Sequence, residues 1–108
     1  MIKENYANNL SMEERHAIWN KLNQPGEIDY VFNYTEKFAN SLHDPSKTKS
    51  VHREDRLELE KWYAKMELAL KKMKDNSRYS PEIKAQYLER YKKCIELSGH
   101  ISQRSIAD

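Results

Sequence analysis

Histidine and cysteine, the usual ligands of zinc and other transition metals, are few in this chain of 108 residues, and they are widely spaced. The four histidines are His16, His43, His52 and His100. None of them has a histidine or cysteine three or four residues away, the spacing that places two ligands on one face of a helix. The nearest pair is His52 with Asp55, and such pairs on charged helices are usually solvated. The sequence therefore predicts no metal site.

Nucleophilic and phosphate-binding chemistry also lacks its usual residue pattern. Cys94 falls on the apolar side of a predicted helix, which indicates a buried and unreactive thiol. Glu82-Ile83-Lys84 has the spacing of half a nuclease site, but such a pair belongs on a β-strand and here it opens a helix. With 2 glycines, the chain offers no glycine-rich loop to hold a phosphate. We therefore expect a non-enzymatic protein with no cofactor and no small-molecule substrate.

Apolar residues recur every three or four positions through most of the chain, as on one face of an α-helix. The clearest stripes are Leu59, Trp62, Met66, Ala69, Leu70 and Met73, then Ile83, Tyr87, Tyr91, Cys94, Leu97 and Ile101. This periodicity predicts an all-α domain of four helices. We expect the last two helices to form a long antiparallel hairpin, on which two shorter N-terminal helices pack. The predicted helices span about residues 11–24, 27–43, 50–76 and 81–98.

Several helix ends are marked by specific residues. Ser11 and Glu14 have the spacing of a capping box, in which each side chain bonds the other residue's backbone N–H. Pro25-Gly26 is expected to end the first helix, because proline cannot continue the hydrogen-bond ladder. Ser80 followed by Pro81 predicts the start of the fourth helix.

Three segments lie outside the predicted helices. Residues 1–10 carry no periodicity and are expected to form an irregular arm, while residues 44–49 form a polar linker and the most plausible hinge. Gly99 is expected to end the fourth helix, which leaves residues 99–108 as a frayed or separately packed tail. We expect the whole chain, residues 1–108, to be one domain.

The composition of the chain indicates the cellular compartment in which the protein resides. No apolar run approaches the ~18 residues needed to span a bilayer, and the N-terminus leads into no apolar signal segment. A single cysteine excludes an internal disulfide and suits a reducing compartment. We therefore expect a cytoplasmic protein that does not bind membranes.

The third predicted helix carries a second apolar stripe. Leu57, Ala64 and Leu68 lie close together on a helical wheel, yet more than about 100° from Trp62. This helix should be about 39 Å long, against about 21 and 25 Å for the first two. Either the short helices lie along the hairpin in succession, or part of the hairpin protrudes and another chain covers its apolar surface. The predicted contact surface is Leu57, Lys61, Tyr63, Ala64 and Leu68.

Aromatic residues support a protein-binding function. Trp62 and Phe38 are expected in the core, whereas four tyrosines fall off the main stripes and should be partly exposed: Tyr30, Tyr34, Tyr63 and Tyr79. Exposed tyrosine among lysine and arginine is typical of protein interfaces, although single exposed aromatics are common. We expect a partner that is another protein or a second copy of the chain, giving a homodimer. The Lys-, Glu-, Asn- and Tyr-rich composition fits a phage- or bacteria-encoded regulator or inhibitor of a host protein complex.

The alternative function is nucleic-acid binding at the tip of the hairpin. Residues 71–93 hold 8 basic and 3 acidic residues, whereas the whole chain has a net charge of only +2. A helix-turn-helix use of the first two helices is disfavoured, because Glu27 and Asp29 would meet the phosphates. The lysines could equally complement the C-terminal dipole of the third helix. The residues of this basic tip are Lys71, Lys72, Lys74, Arg78, Tyr79 and Lys84, with Tyr79 placed to stack on a base.

Overall fold

The computed structural model describes residues 6–43, 51–74, 76–103 and 106–107, with side chains described over 6–42, 54–74 and 76–97. It confirms the all-α class. A 3₁₀ turn (Tyr6–Asn9) precedes four helices, α1 (Met12–Lys21), α2 (Glu27–His43), α3 (Arg53–Lys74) and α4 (Pro81–Gln103). Two-residue strands, β1 (Val51–His52) and β2 (Ile106–Ala107), pair in parallel beside the start of α3. The predicted linker 44–49 lies outside the described residues.

The helix ends follow the local signals in the sequence. The Ser11 hydroxyl accepts a hydrogen bond from the Glu14 backbone N–H at 3.1 Å, and the Glu14 carboxylate accepts one from the Ser11 N–H at 3.0 Å. Gly26 adopts a positive φ of 81°, which an L-side chain rarely tolerates, and this permits the turn into α2. The Ser80 hydroxyl accepts from the Ile83 N–H at the start of α4. The predicted caps are therefore confirmed.

Helix α3 is the central element of the core. It contacts the 3₁₀ turn and each of the other three helices, and α2 also packs against α4. Helices α3 and α4 run in opposite directions, since hydrogen bonds join residues 74 with 84, 67 with 91 and 63 with 94. The largest fully buried side chains come mainly from α2 and α3: Val31, Phe32, Thr35, Leu59, Tyr63, Met66 and Met73. Helix α2 therefore covers both α3 and α4, whereas α1 contacts α3 and has no buried residue.

The N-terminal segment differs from the predicted irregular arm. Residues 6–9 form the 3₁₀ turn, and Tyr6, Ala7 and Leu10 are buried in the core. The Glu67 carboxylate accepts hydrogen bonds from the backbone N–H groups of Tyr6 at 2.8 Å and Ala7 at 2.9 Å. A single turn is too short to produce a helical period in the sequence, so the pattern gave no signal for it.

The C-terminal end also differs from the prediction. Helix α4 continues through Gly99 to Gln103, and Ile106–Ala107 then pairs with β1. The expectation that Gly99 ends the helix is therefore wrong, and of the two alternatives for the tail, frayed or separately packed, the pairing of Ile106–Ala107 with β1 agrees with the second. A lone glycine inside a helix costs only about 1 kcal/mol relative to alanine, which the surrounding turns can offset.

Candidate protein-binding surface

The second apolar stripe of α3 is largely covered by the chain itself. Of the five residues predicted to contact a partner, Leu57 is 53% exposed and Lys61 is exposed. Tyr63, Ala64 and Leu68 are buried in the same apolar cluster as Tyr6, Ala7 and Leu10 of the N-terminal segment. Of the two arrangements predicted for this stripe, coverage by the same chain applies to Tyr63, Ala64 and Leu68, whereas Leu57 and Lys61 stay exposed. Its exposed end lines a groove of about 460 Å³ with Tyr6, Leu10 and Glu60.

Tyr63 was predicted to be partly exposed, and this prediction is wrong. Its side chain is 0% exposed. Its hydroxyl donates a hydrogen bond to the Cys94 carbonyl oxygen at 2.9 Å, and its ring lies 5.2 Å from the Tyr6 ring. The residue falls between the two apolar stripes of α3, where the 3₁₀ turn and α4 both contact it. Its hydroxyl can be buried because a backbone acceptor satisfies it.

A row of aromatic side chains lies at the surface of α2. Tyr30, Tyr34 and Phe38 stand four residues apart on α2 and therefore share one helix face. Tyr30 is 51% exposed and Tyr34 is 41% exposed, as predicted, whereas Phe38 is half-buried. The Tyr34 ring lies 4.3 Å from the Trp62 ring of α3 at an interplanar angle of 32°. We call Tyr30, Tyr34, Phe38 and Trp62 the aromatic surface.

The rings of the aromatic surface are held by one another. Tyr30 meets Trp62 edge-on at 6.1 Å, and it lies 5.9 Å from Tyr34. Tyr34 in turn lies 6.1 Å from Phe38. Such offset and edge-to-face pairs contribute about 0.5–1.5 kcal/mol each beyond burial. The two exposed tyrosines are therefore fixed by contacts with more buried rings.

Lys65 gives the aromatic surface a positive edge. Its Nζ lies 3.8 Å from the centre of the Trp62 ring, a cation–π contact. Burial lowers the pKa of Lys65 from its ordinary value, with Glu58 opposing that change and Lys21 reinforcing it. The ammonium is thus partly removed from water, and a carboxylate brought beside it would stabilise its charge.

A groove adjoins the aromatic surface where α1, α2 and α3 meet. Its volume is about 330 Å³, within the range of sites that accept a side chain or small ligand. Lys21 and Glu27 form an ion pair beside it at 3.9 Å. The remaining walls are mostly apolar and include Ile18, Leu22, Tyr30, Val31, Trp62 and Lys65. Trp62 was predicted as a core residue, and it is both buried and part of this wall.

The basic tip does not form one continuous patch. Lys72 Nζ lies 4.3 Å from the centre of the Trp19 ring and donates to the Trp19 carbonyl oxygen at 3.2 Å. Lys84 Nζ donates to the Lys74 carbonyl oxygen at 3.0 Å, so Lys84 caps the C-terminus of α3. The side chains of Lys71, Lys74 and Arg78 are exposed, and Tyr79 is half-buried. Of the six basic-tip residues, Lys72, Arg78 and Tyr79 line one pocket.

The Cys94 thiol is buried, and burial raises its pKa to about 12.

The described residues hold no cluster of three histidines, cysteines or carboxylates that could bind a metal. Across that same part of the chain, no helix combines the length and apolar character required to cross a bilayer.

Comparison with protein-family models, with curated proteins and with solved structures gives no match. The function is therefore inferred from the geometry and chemistry of the surface. The sequence signal for the aromatic surface is the spacing of residues 30, 34 and 38, which predicts one helical row. That Trp62 joins this row from another helix depends on the packing of α2 against α3.

Proposed function

We propose that the protein is a non-enzymatic protein-binding module that contacts its partner through the aromatic surface and the adjoining groove. The observation that carries this proposal is the pair of exposed tyrosines, Tyr30 and Tyr34, resting on Trp62 beside an apolar groove. Tyrosine and tryptophan dominate the energetically important positions of protein interfaces. Since monomers rarely expose such clusters without a use, a partner that covers these rings accounts for them best.

Preorganisation supports the same proposal. The free energy of association is reduced by the ordering of side chains at an interface, at about 0.5–1.5 kcal/mol for each flexible side chain. The rings of Tyr30 and Tyr34 are already restrained by Trp62, so less ordering remains for binding. The partner chemistry that fits is an apolar anchor for the groove, flanked by a carboxylate for Lys65.

We further propose that binding regulates or inhibits a protein complex in the cytoplasm of a bacterial cell, and that the gene is of phage or bacterial origin. The support for this origin is the composition, rich in Lys, Glu, Asn and Tyr, which is typical of AT-rich genomes. A second copy of the chain is the other occupant of the surface to be tested, because a homodimer would cover the same rings.

The test compares the tagged wild-type chain with the double variant Tyr30→Ala/Tyr34→Ala. Captured bacterial proteins are identified by mass spectrometry, and light scattering after gel filtration measures self-association. With the recovered partner or the dimer, we expect the double variant to raise Kd by at least ~100-fold, since each interface tyrosine contributes about 2 kcal/mol.

The matched controls are Leu57→Ala and Leu88→Ala, which remove exposed leucines outside the aromatic surface. Circular dichroism verifies that each variant keeps its helices. The controls should leave Kd within about twofold of wild type. A folded double variant that binds as tightly as wild type, or a wild-type monomer that retains no specific partner, would overturn the proposal.

A further inference from the structure

A polar pocket lies where the basic tip meets the turn between α1 and α2. Its volume is about 480 Å³. The tip contributes Lys72, Asn76, Arg78 and Tyr79, while the turn contributes Asn23 and Gln24. Residues 71–84 and 23–26 are far apart in the sequence, so the pocket exists only in the folded chain. It shares none of the four residues of the aromatic surface, although Leu22 lines both this pocket and the groove beside that surface.

The pocket holds two cations against one carboxylate. Lys72 uses one donor for the Trp19 carbonyl oxygen, which leaves two N–H groups of its ammonium for a ligand. The exposed Arg78 guanidinium makes no hydrogen bond or ion pair with any side chain of the described residues. Among the described lining residues Asp29 is the single acidic one, and it accepts a hydrogen bond from the Tyr87 hydroxyl. The described side chains of the lining therefore carry one more positive than negative charge.

The other lining groups suit a planar heterocycle. Tyr79 and Tyr87 both border the pocket and are half-buried. Burial and the bond to Asp29 raise the pKa of Tyr87 to about 12, and the hydroxyl proton is already donated to the Asp29 carboxylate. Asn76 uses its amide oxygen to accept from the Arg78 N–H, so its amide nitrogen keeps two donors.

We infer that this pocket binds a nucleotide. Lys72 and Arg78 bind the phosphate, Tyr79 stacks on the base, and the amides of Asn23, Gln24 and Asn76 bond the base and sugar. The Asp29 carboxylate accepts from a sugar hydroxyl or a base amine. One nucleotide can be free in solution or belong to a single strand, and the recognition chemistry is the same in both cases. This inference refines the predicted role of the basic tip and is independent of the aromatic surface.

The test is calorimetric titration of the full chain with AMP, adenosine and inorganic phosphate at low salt. We expect AMP to bind with Kd below ~1 mM, and adenosine to bind at least tenfold more weakly because it lacks the phosphate. Arg78→Gln should weaken AMP binding about tenfold or more, since it removes charge-assisted bonds to phosphate. Tyr79→Leu should weaken AMP about tenfold while leaving inorganic phosphate unchanged.

Lys71→Gln is the matched control, because Lys71 carries the same charge next to Lys72 and does not line the pocket. It should change the Kd for AMP by less than about twofold, as exposed charges are screened by salt. Titration with single-stranded (dA)8 distinguishes the two sources: an affinity per nucleotide above that of AMP, persisting at about 0.2 M salt, indicates a single strand, and an equal or lower one indicates a free nucleotide. The Tyr30→Ala/Tyr34→Ala variant should bind AMP normally, so failure of one proposal does not affect the other.

Three results would overturn the nucleotide site. The first is the absence of AMP binding at 1 mM by the folded wild-type chain, a concentration at which about half would be bound if Kd were ~1 mM. The second is equal affinity for AMP and adenosine, which would exclude recognition of the phosphate. The third is an equal loss of affinity in Arg78→Gln and Lys71→Gln, which would indicate only a diffuse charge effect.

Discussion

Replacing Glu67 by alanine should release the N-terminal segment from the helical core. This half-buried carboxylate accepts from the backbone N–H groups of Tyr6 and Ala7, and from the Tyr91 hydroxyl at 2.6 Å. It therefore links the 3₁₀ turn, α3 and α4 through one side chain. Alanine at this position removes three hydrogen bonds, two of which attach the 3₁₀ turn to α3.

The expected loss follows from the number and type of these bonds. A hydrogen bond to a charged acceptor contributes about 1.5–3 kcal/mol to stability. Water can replace part of this at a half-buried site, so we expect Glu67→Ala to lower the free energy of unfolding by about 3–5 kcal/mol. That is a large share of the roughly 5–15 kcal/mol available to a domain. Glu67→Gln, which keeps one acceptor oxygen, should cost about half as much.

Urea denaturation followed by circular dichroism measures this loss. With a slope of about 1.5 kcal/mol per molar urea, the unfolding midpoint should fall by about 2–3 M. Amide hydrogen exchange should show that Tyr6 and Ala7 lose protection first. The control is Glu58→Ala, an exposed glutamate on the same helix, which should change stability by about 0.5 kcal/mol or less. A loss below ~1 kcal/mol for Glu67→Ala, or one equal to the control, would refute the proposed attachment.

Three further predictions concern single residues. Because burial raises the pKa of the Cys94 thiol from its ordinary 9.0 to about 12, a thiol reagent at pH 8 should modify it rapidly only after unfolding. Because the thiol ionises more readily in the unfolded chain, the free energy of unfolding should be constant below about pH 9 and fall as the pH rises from about 9 to 12. A free energy of unfolding that stays constant over this range would contradict the pKa shift. Arg90→Met removes two bonds of 2.8 Å to Glu36, and should lower the free energy of unfolding by about 1 kcal/mol at 0.1 M salt and by less at 1 M. Gly26→Ala should lower the free energy of unfolding by about 1–2 kcal/mol, because alanine is strained at the positive φ of this position. The new Cβ meets no atom within 4 Å, so the backbone is the sole source of the loss. An unchanged midpoint in urea denaturation would exclude backbone strain.

Local features of the fold were predictable from the sequence. The Ser11 capping box, the Ser80 cap and the bounds of α2 each depend on residues within four positions of one another. The exposure of Tyr30 and Tyr34 was also predictable, because both fall off the apolar stripe of α2. These predictions agree with the structure because capping hydrogen bonds and the faces of a helix depend on residues close together in the sequence.

Long-range contacts decided the features that the sequence did not reveal. The N-terminal turn is held by Glu67, which lies 61 positions from Tyr6, and no local pattern records such a pairing. The burial of Tyr63 has the same origin, since its acceptor on Cys94 lies 31 positions away. The predicted contact stripe on α3 was identified as apolar, but the N-terminal segment that covers it could not be anticipated.

The sequence by itself therefore determined the helical class, most helix ends and which faces are apolar. The tertiary structure decided which apolar face is covered, and so moved the candidate binding surface from the second stripe of α3 to the rings of Tyr30, Tyr34 and Trp62. It also brought Lys72 and Arg78 to one pocket. The physical reason is that helix formation depends on interactions across one turn, whereas burial is set by the free energy of packing over the whole chain.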